Sequence, residues 1–335
     1  MKHLFLLLLV GLNACHTKTP PARENKMASQ VATTRSDQQT EAIAGIVYFS
    51  DNNGVSWENN SKCLPENIFL TDIAVSDQWL GVSTKQNGVF MYDSEKNKWK
   101  NTAEQPPTLA DTDALFFFKN ELYAGTHGDG VFISSDKGKS WKAINQGLGN
   151  LTVRKFAEID NRLYVGTNDG LYLLDEKAQK WRLEYGNKLL QVNGIIRYDN
   201  EIFIGTNQGV FKSAIGRNDW EHVLTNRSLH NIGLADNTLY ALAYNELFAS
   251  KDKGKTWHSA QRGIPAEKYS FQLLQKDHSV FVGQWDGIYV NDLFQNWKPF
   301  HKGIPHNTPI TEMNVYQNRL VAASSSWTKK TTITP

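Results

Sequence analysis

Three carboxylates in this chain, Asp72, Asp113 and Glu312, stand at the start of short apolar runs, where a strand would leave water. Cleavage of a glycosidic bond needs two such groups facing each other across a cleft, one to give a proton and one to attack or to activate water. A second set suits binding rather than cleavage. Arg154 and His230 occupy the matching places of other runs, while Tyr244, Trp285 and Trp327 sit in polar turns. Aromatic faces beside a few polar groups recognise sugars and peptides. The carboxylates have two open readings, a catalytic pair or a solvated rim where strands end. The aromatic residues also have two, a ligand platform or loops packed over an opening.

These places match because the chain repeats. Trp57, Trp99, Trp141, Trp181, Trp220, Trp257 and Trp297 are separated by 42, 42, 40, 39, 37 and 40 residues. A period near forty is that of propeller blades, though also of some helical solenoids. The segments between the tryptophans decide for strands. Leu122-Tyr123-Ala124-Gly125-Thr126, Leu163-Tyr164-Val165-Gly166-Thr167 and Ile202-Phe203-Ile204-Gly205-Thr206 are short β-branched and aromatic runs ending in a Gly-rich turn, each followed by another run from Gly130, Gly170 or Gly209. Such runs bounded by Gly, Asn and Asp read as hairpins. Each unit therefore predicts four strands. The first tryptophan unit begins near Gly45 and lacks its first two strands, whereas Ile310 to Ala323 supplies two strands with no tryptophan turn. Together they make one blade. The expectation is an all-β, seven-bladed propeller of four-stranded antiparallel blades over residues 44–328, its closing blade shared by the two ends.

Within the repeat, Ser134-Ser135-Asp136-Lys137-Gly138-Lys139-Ser140-Trp141 recurs as Ser250-Lys251-Asp252-Lys253-Gly254-Lys255-Thr256-Trp257, and with Asn52 for the aspartate in Ser50 to Trp57. This S-x-D-x-G-x-[ST]-W pattern resembles the Asp-box, or BNR repeat. Ser134, Asp136, Gly138 and Trp141, with Ser250, Asp252, Gly254 and Trp257, are read as structural: Ser and Asp cap turn amides, Gly takes positive φ, and Trp packs between blades. Propellers with this repeat include sialidases, xyloglucan-cleaving hydrolases, sortilin-type receptors and a photosystem II assembly factor, so the resemblance implies a fold and leaves the function open. By chain order the box joins the third and fourth strands, on the side opposite the usual ligand face.

Against a sialidase, the chain has no Phe/Tyr-Arg-Ile-Pro stretch, only ten arginines, and seven units where sialidases have six blades. No nucleophile elbow, zincin, phosphate-loop or dinucleotide-binding pattern occurs, the box around Asn53 lacks the carboxylates of a calcium loop, and neither metal nor cofactor is expected. Aligning the units on their second strands puts Thr71, Asp113, Arg154, Asn193, His230, Phe271 and Thr311 at equivalent points of a channel mouth. The next residues, among them Asp72, Lys155, Asn231, Gln272 and Glu312, form a second ring.

The first residues carry an address. Lys2 and His3 precede an apolar run from Leu4 to Leu12, too short to span a bilayer. Leu12-Asn13-Ala14-Cys15 resembles the bacterial lipobox, which implies a signal peptide over 1–14, a lipid on Cys15, and a place in the cell envelope, at the outer membrane facing the periplasm or the surface. Residues 15–43 are polar, with Pro20 and Pro21, and read as a flexible tether; 329–335 read as a tail. With Cys15 lipidated, Cys63 would have no cysteine to pair with. A net charge of +2 gives no reason to expect nucleic acid. The composite expectation is a lipid-anchored binding propeller with a protein or glycan partner; the alternative is a glycoside hydrolase using Asp72, Asp113 or Glu312.

Overall fold

The chain divides into two units, Met1–Glu41 and Ala42–Pro335. A computed structural model describes residues 45–102, 109, 111–265, 268–291 and 296–326, all in the second unit. The signal peptide, the tether with Cys15, Trp327 and the tail lie outside the described residues.

Among the described residues, twenty-eight strands, β1 to β28 in chain order, form seven four-stranded antiparallel sheets. The first complete blade pairs β3 (Phe69–Val75), β4 (Leu80–Lys85), β5 (Gly88–Asp93) and β6 (Lys98–Asn101) in that order. Five more blades follow over residues 112–143, 153–185, 192–225, 229–259 and 270–299. The seventh is ordered β27 (Glu312–Tyr316), β28 (Arg319–Ala323), β1 (Val47–Ser50), β2 (Glu58–Asn59). There, Val47 to Ser50 pair with Ala323 to Leu320, so the two ends of the sequence close the ring as its incomplete units predict. Closure removes the open edges that a linear array would expose.

The turns between first and second strands follow from their residues. Lys119-Asn120, Asp160-Asn161, Asp236-Asn237 and Gln317-Asn318 all have positive φ at both positions. Two-residue hairpin turns of this kind match the strand twist, and Asn and Asp tolerate the conformation.

First strands of neighbouring blades pack against one another around the axis, β27 against β3 included. The apolar cores lie between adjacent blades rather than at the centre. One contains Ile46, Phe49, Tyr92 and Trp99; another contains Val153, Phe156, Tyr172 and Trp181. The sequence pattern ending in Gly-Thr serves this packing. Gly125, Gly166, Gly205 and Gly283 lie inside the second strands, not in the turns that follow. A Cβ on Gly166 would stand 2.4 Å from the Val192 carbonyl oxygen of the next blade, and one on Gly283 2.3 Å from that of Ile310. Glycine is needed there for approach, not for its turn conformation.

The repeat tryptophans bridge blades through their indole N–H groups. Trp99 donates to the Asn60 carbonyl at 2.8 Å, Trp181 to Ile144 at 2.6 Å, Trp297 to Ala260 at 2.9 Å and Trp57 to Phe300 at 3.1 Å. Each acceptor belongs to the preceding blade around the ring. Trp57, Trp141 and Trp257 fall just ahead of their outermost strands, which are only two residues long where the box is intact.

Each intact box is a closed hydrogen-bonded turn. The Ser140 N–H donates to Asp136 Oδ1 at 2.8 Å and its hydroxyl to Oδ2 at 2.7 Å, while Ser134 Oγ donates to Oδ1 and accepts from the Gly138 N–H. Asp252 repeats this with Thr256 and Ser250, and Asn52 does so through its amide. The Ser140 hydroxyl and N–H hold the Asp136 carboxyl down at about 2, and those of Thr256 do the same for Asp252. The residue before each box glycine has positive φ and reaches the preceding blade. Lys137 lies 3.6 Å over the Trp79 ring, Lys253 pairs with Asp199 at 2.5 Å, and Asn53 accepts from Lys276 at 2.6 Å. On this side of the ring the boxes act as inter-blade staples.

Candidate functional site at the channel mouth

A β-bulge builds the other side. In six blades the first strand slips register against the second at the same point, between Leu70 and Asp72, Thr112 and Ala114, Val153 and Lys155, Val192 and Gly194, Leu229 and Asn231, and Ser270 and Gln272. The extra residues are Thr71, Asp113, Arg154, Asn193, His230 and Phe271. In the closing blade the Thr311 N–H donates to the Ala323 carbonyl that Glu312 also faces. A bulge sets two consecutive residues against one and re-aims their side chains. Both rings read from the sequence therefore contribute to one cavity of 480 Å³, which includes Asp72, Asp113, Arg154, Lys155, His230, Tyr244, Trp285 and Glu312. Arg154, Asn193, His230, Tyr244 and Tyr269 also line an adjoining cavity of 330 Å³.

One wall is aromatic. His230 stacks on Tyr269 with centroids 4.0 Å apart, and Tyr244 meets Tyr269 edge-on at 4.9 Å. Tyr269 continues to Phe271 at 4.9 Å, and Phe271 to Trp285 at 5.2 Å. Five rings thus form an unbroken contact path, with Tyr244 68% and Trp285 48% exposed at its outer margin. His230 Nε2 bonds the Ser270 carbonyl, which fixes the proton on that nitrogen. Burial holds the imidazole down to about 4, against the raising effect of that bond. The ring is therefore neutral and offers Nδ1 as an acceptor.

Deeper in the channel lies an ion triad. Lys155 Nζ stands 3.2 Å from Asp72 Oδ1 and 3.8 Å from Glu312 Oε2. Asp72 also accepts the N–H groups of Ile73 at 2.9 Å and of Leu115, in the next blade, at 3.1 Å. Burial opposes the Lys155 charge, but Asp72 and Glu312 outweigh it and hold the ammonium above its usual range. Burial pushes the Glu312 carboxyl up to about 8, with Asp72 adding to the rise and Lys155 opposing it. Asp113 is engaged separately, by His127 Nδ1 at 2.8 Å. Arg154 donates from Nε to Asn168 Oδ1 at 2.7 Å.

The structure thus brings together Asp72, Asp113, Glu312, Arg154, His230, Tyr244 and Trp285, while Trp327 lies outside the described residues. Sequence reasoning passed over Tyr269, the ring joining both arms of the aromatic wall. Its signal is two aromatic residues two apart, Tyr269 just ahead of its blade's first strand and Phe271 at that strand's bulge. Further exposed apolar side chains, Phe69, Leu151 and Leu189, lie on the same face. They sit where strands begin or beside the second-to-third turns, as the bonds from Gly130 to Leu151 and from Asn207 to Leu189 show. Among the described residues, no group of three or more His, Cys, Asp or Glu is placed to hold a metal ion.

Residues 72–191 match the family model of the DUF6242 beta propeller domain. No curated protein matches the sequence. Among solved structures, the extracellular domain of the BT4673 system from B. thetaiotaomicron is similar at TM-score 0.63 and 16% identity, over 80% of this chain and 39% of that one. The extracellular domain of the BT3049 system of the same organism gives TM-score 0.65 and 15% identity, over 84% and 41%. This chain thus spans about two fifths of the length of either. YCF48 bound to D1 peptide gives TM-score 0.62 and 14% identity, over 81% of this chain and 96% of that one. At these identities the likeness is one of fold.

Proposed function

We propose that this protein is a non-catalytic binding propeller that holds a peptide segment of a protein partner against the channel-mouth face. It would act in a bacterial envelope, at the outer membrane, on a lipid anchor at Cys15. The observation that carries the reading is the five-ring aromatic wall with Tyr244 and Trp285 exposed at its margin. Phe69, Leu151 and Leu189 extend apolar surface around the same face, beyond what a small ligand would cover. Exposed apolar surface gathered on one face is characteristic of interaction sites. That YCF48 is known in a complex with a peptide supports a peptide over a glycan.

The hydrolytic alternative draws on Glu312, whose raised carboxyl suits a general acid. Its partner Asp72 is held by two backbone N–H groups and by Lys155, which fits a structural carboxylate better than a catalytic one.

Partner recovery from envelope extracts by the full chain, with Trp285→Ala alongside, tests the main reading. Recovery is expected to fall at least tenfold in the variant, and unchanged recovery removes this face from the function. Glycan hydrolysis that disappears in Asp113→Asn or Glu312→Gln would overturn the non-catalytic reading.

For the anchor, Cys15→Ser is expected to release the protein from membranes. Cys63, in the turn after β2, does not stand as a free thiol. The chain has two cysteines, and a sulfur carrying a thioether cannot join a disulfide, so a lipid-modified mass for the peptide containing Cys15 is the expected result and a disulfide-linked mass overturns the anchor.

A further inference from the structure

We infer that the Arg154 corner of the mouth is a carboxylate subsite, taking a carboxylate that lies next to an aromatic group on a peptide. The inference rests on the peptide-binding reading above. Arg154 occupies a bulge position between the aromatic wall and the acidic side of the mouth, and lines both cavities. Its Nε is engaged by Asn168 at 2.7 Å, which orients the guanidinium. The Nη1/Nη2 edge remains, and among the described residues no carboxylate pairs with it. Guanidinium presents two parallel N–H donors along that edge, matched to the two oxygens of a carboxylate.

The surroundings select what can sit there. Lys155, the neighbouring cation, is committed to Asp72 and Glu312. Asp113 is bonded to His127. With the Glu312 carboxyl raised to about 8, Asp72 and Asp113 already balance Arg154 and Lys155 near neutral pH, so no surplus positive charge is left to hold a dianion such as a phosphate ester. A single carboxylate meets one oriented fork without that shortfall. Beside the fork, His230, Tyr269 and Tyr244 present ring surface, and neutral His230 offers Nδ1 to a ligand N–H. A carboxylate with a flat ring next to it and an amide N–H within reach satisfies every group in the corner. A C-terminal aromatic residue carries this chemistry, and so does an acidic side chain followed by an aromatic one.

Titration calorimetry of the full chain against short peptides tests the subsite and separates the two sources. The probes are acetyl-Ala-Phe with a free C-terminus, acetyl-Glu-Phe-amide, and neutral acetyl-Gln-Phe-amide. At least one acidic probe is expected to bind about tenfold or more tightly than the neutral one, with the preference shrinking as salt rises. Arg154→Gln should abolish the preference for acidic over neutral probes at an unchanged melting temperature, and Arg154→Lys should keep only part of that preference. Equal affinity for acidic and neutral probes in the wild type, no binding of any probe, or a preference that survives in Arg154→Gln, overturns the subsite. If all probes bind equally and Trp285→Ala weakens them together, only the subsite fails. If neither substitution affects any probe, the peptide-binding reading of the face fails with it.

Discussion

Replacing Trp181 with alanine is expected to lower stability by about 3–5 kcal/mol, and the melting temperature by roughly 10 °C. Trp181 is 1% exposed in the core between the second and third complete blades, where it packs with Ile144, Val153 and Tyr172. Its removal leaves a cavity that a closed ring cannot collapse, because each blade is held on both sides. It also strips the Ile144 carbonyl of its 2.6 Å partner. Trp181→Phe separates these losses, keeping most of the packing and losing the donor, at about 1–3 kcal/mol. Trp141 is the instructive control. It belongs to an intact box, yet it is half-buried and its indole N–H bonds only Gly138 of its own turn, at 2.9 Å. Its alanine variant should cost clearly less in the same thermal melts. Equal losses at the two positions would mean that the box, not the inter-blade bridge, is what the tryptophan stabilises.

Lys155→Met is expected to be comparably damaging, at about 3–5 kcal/mol, because it leaves two interior carboxylates without their shared cation. The three side chains are 26%, 7% and 17% exposed for Lys155, Asp72 and Glu312, so solvent screens them little. The sign of the pH effect follows from Glu312. Its folded-state value is raised from 4.5 to about 8, so its contribution to stability is complete below 4.5 and is lost as pH climbs through 8. Without Lys155 the carboxyl rises further, so the lesion should be deepest at alkaline pH and smallest near pH 5. Urea unfolding at pH 5 and pH 9 measures this. The double variant Lys155→Met with Glu312→Gln should recover much of the loss. A lesion independent of pH, or a double variant no better than the single one, would show that Lys155 contributes packing rather than charge.

Architecture was legible in the sequence because the fold repeats one physical problem seven times. Tryptophan spacing marks the inter-blade cores, and the incomplete units at Gly45 and Ala323 announce the shared blade. The mouth was legible for a related reason. The bulge recurs at one register in six of the seven first strands, so alignment of the second strands finds the residues it turns into the channel. What escaped is what does not repeat. Tyr269 precedes its strand, and its importance comes from contacts with His230 and Phe271 that no single blade contains. The Lys155 triad draws Asp72, Lys155 and Glu312 from three blades and a sequence separation of 240 residues. The glycines before Thr126, Thr167 and Thr206 looked like turn formers, because sequence records the missing side chain but not the neighbouring strand that requires its absence.

The shared blade has a practical corollary. β1 starts, and β28 ends, beside Glu312, where the Ser324 N–H bonds the Ile46 carbonyl and the Leu70 N–H bonds that of Ser325. Both points at which the chain leaves the described propeller therefore open onto the rim of the mouth. A peptide fused there through a short flexible linker would meet the site at an effective concentration on the order of millimolar. Fusion is thus a natural way to capture a weak ligand in place. An affinity tag joined directly to Gly45 or Ser326 becomes a neighbour of the site, to be removed before its emptiness is assumed.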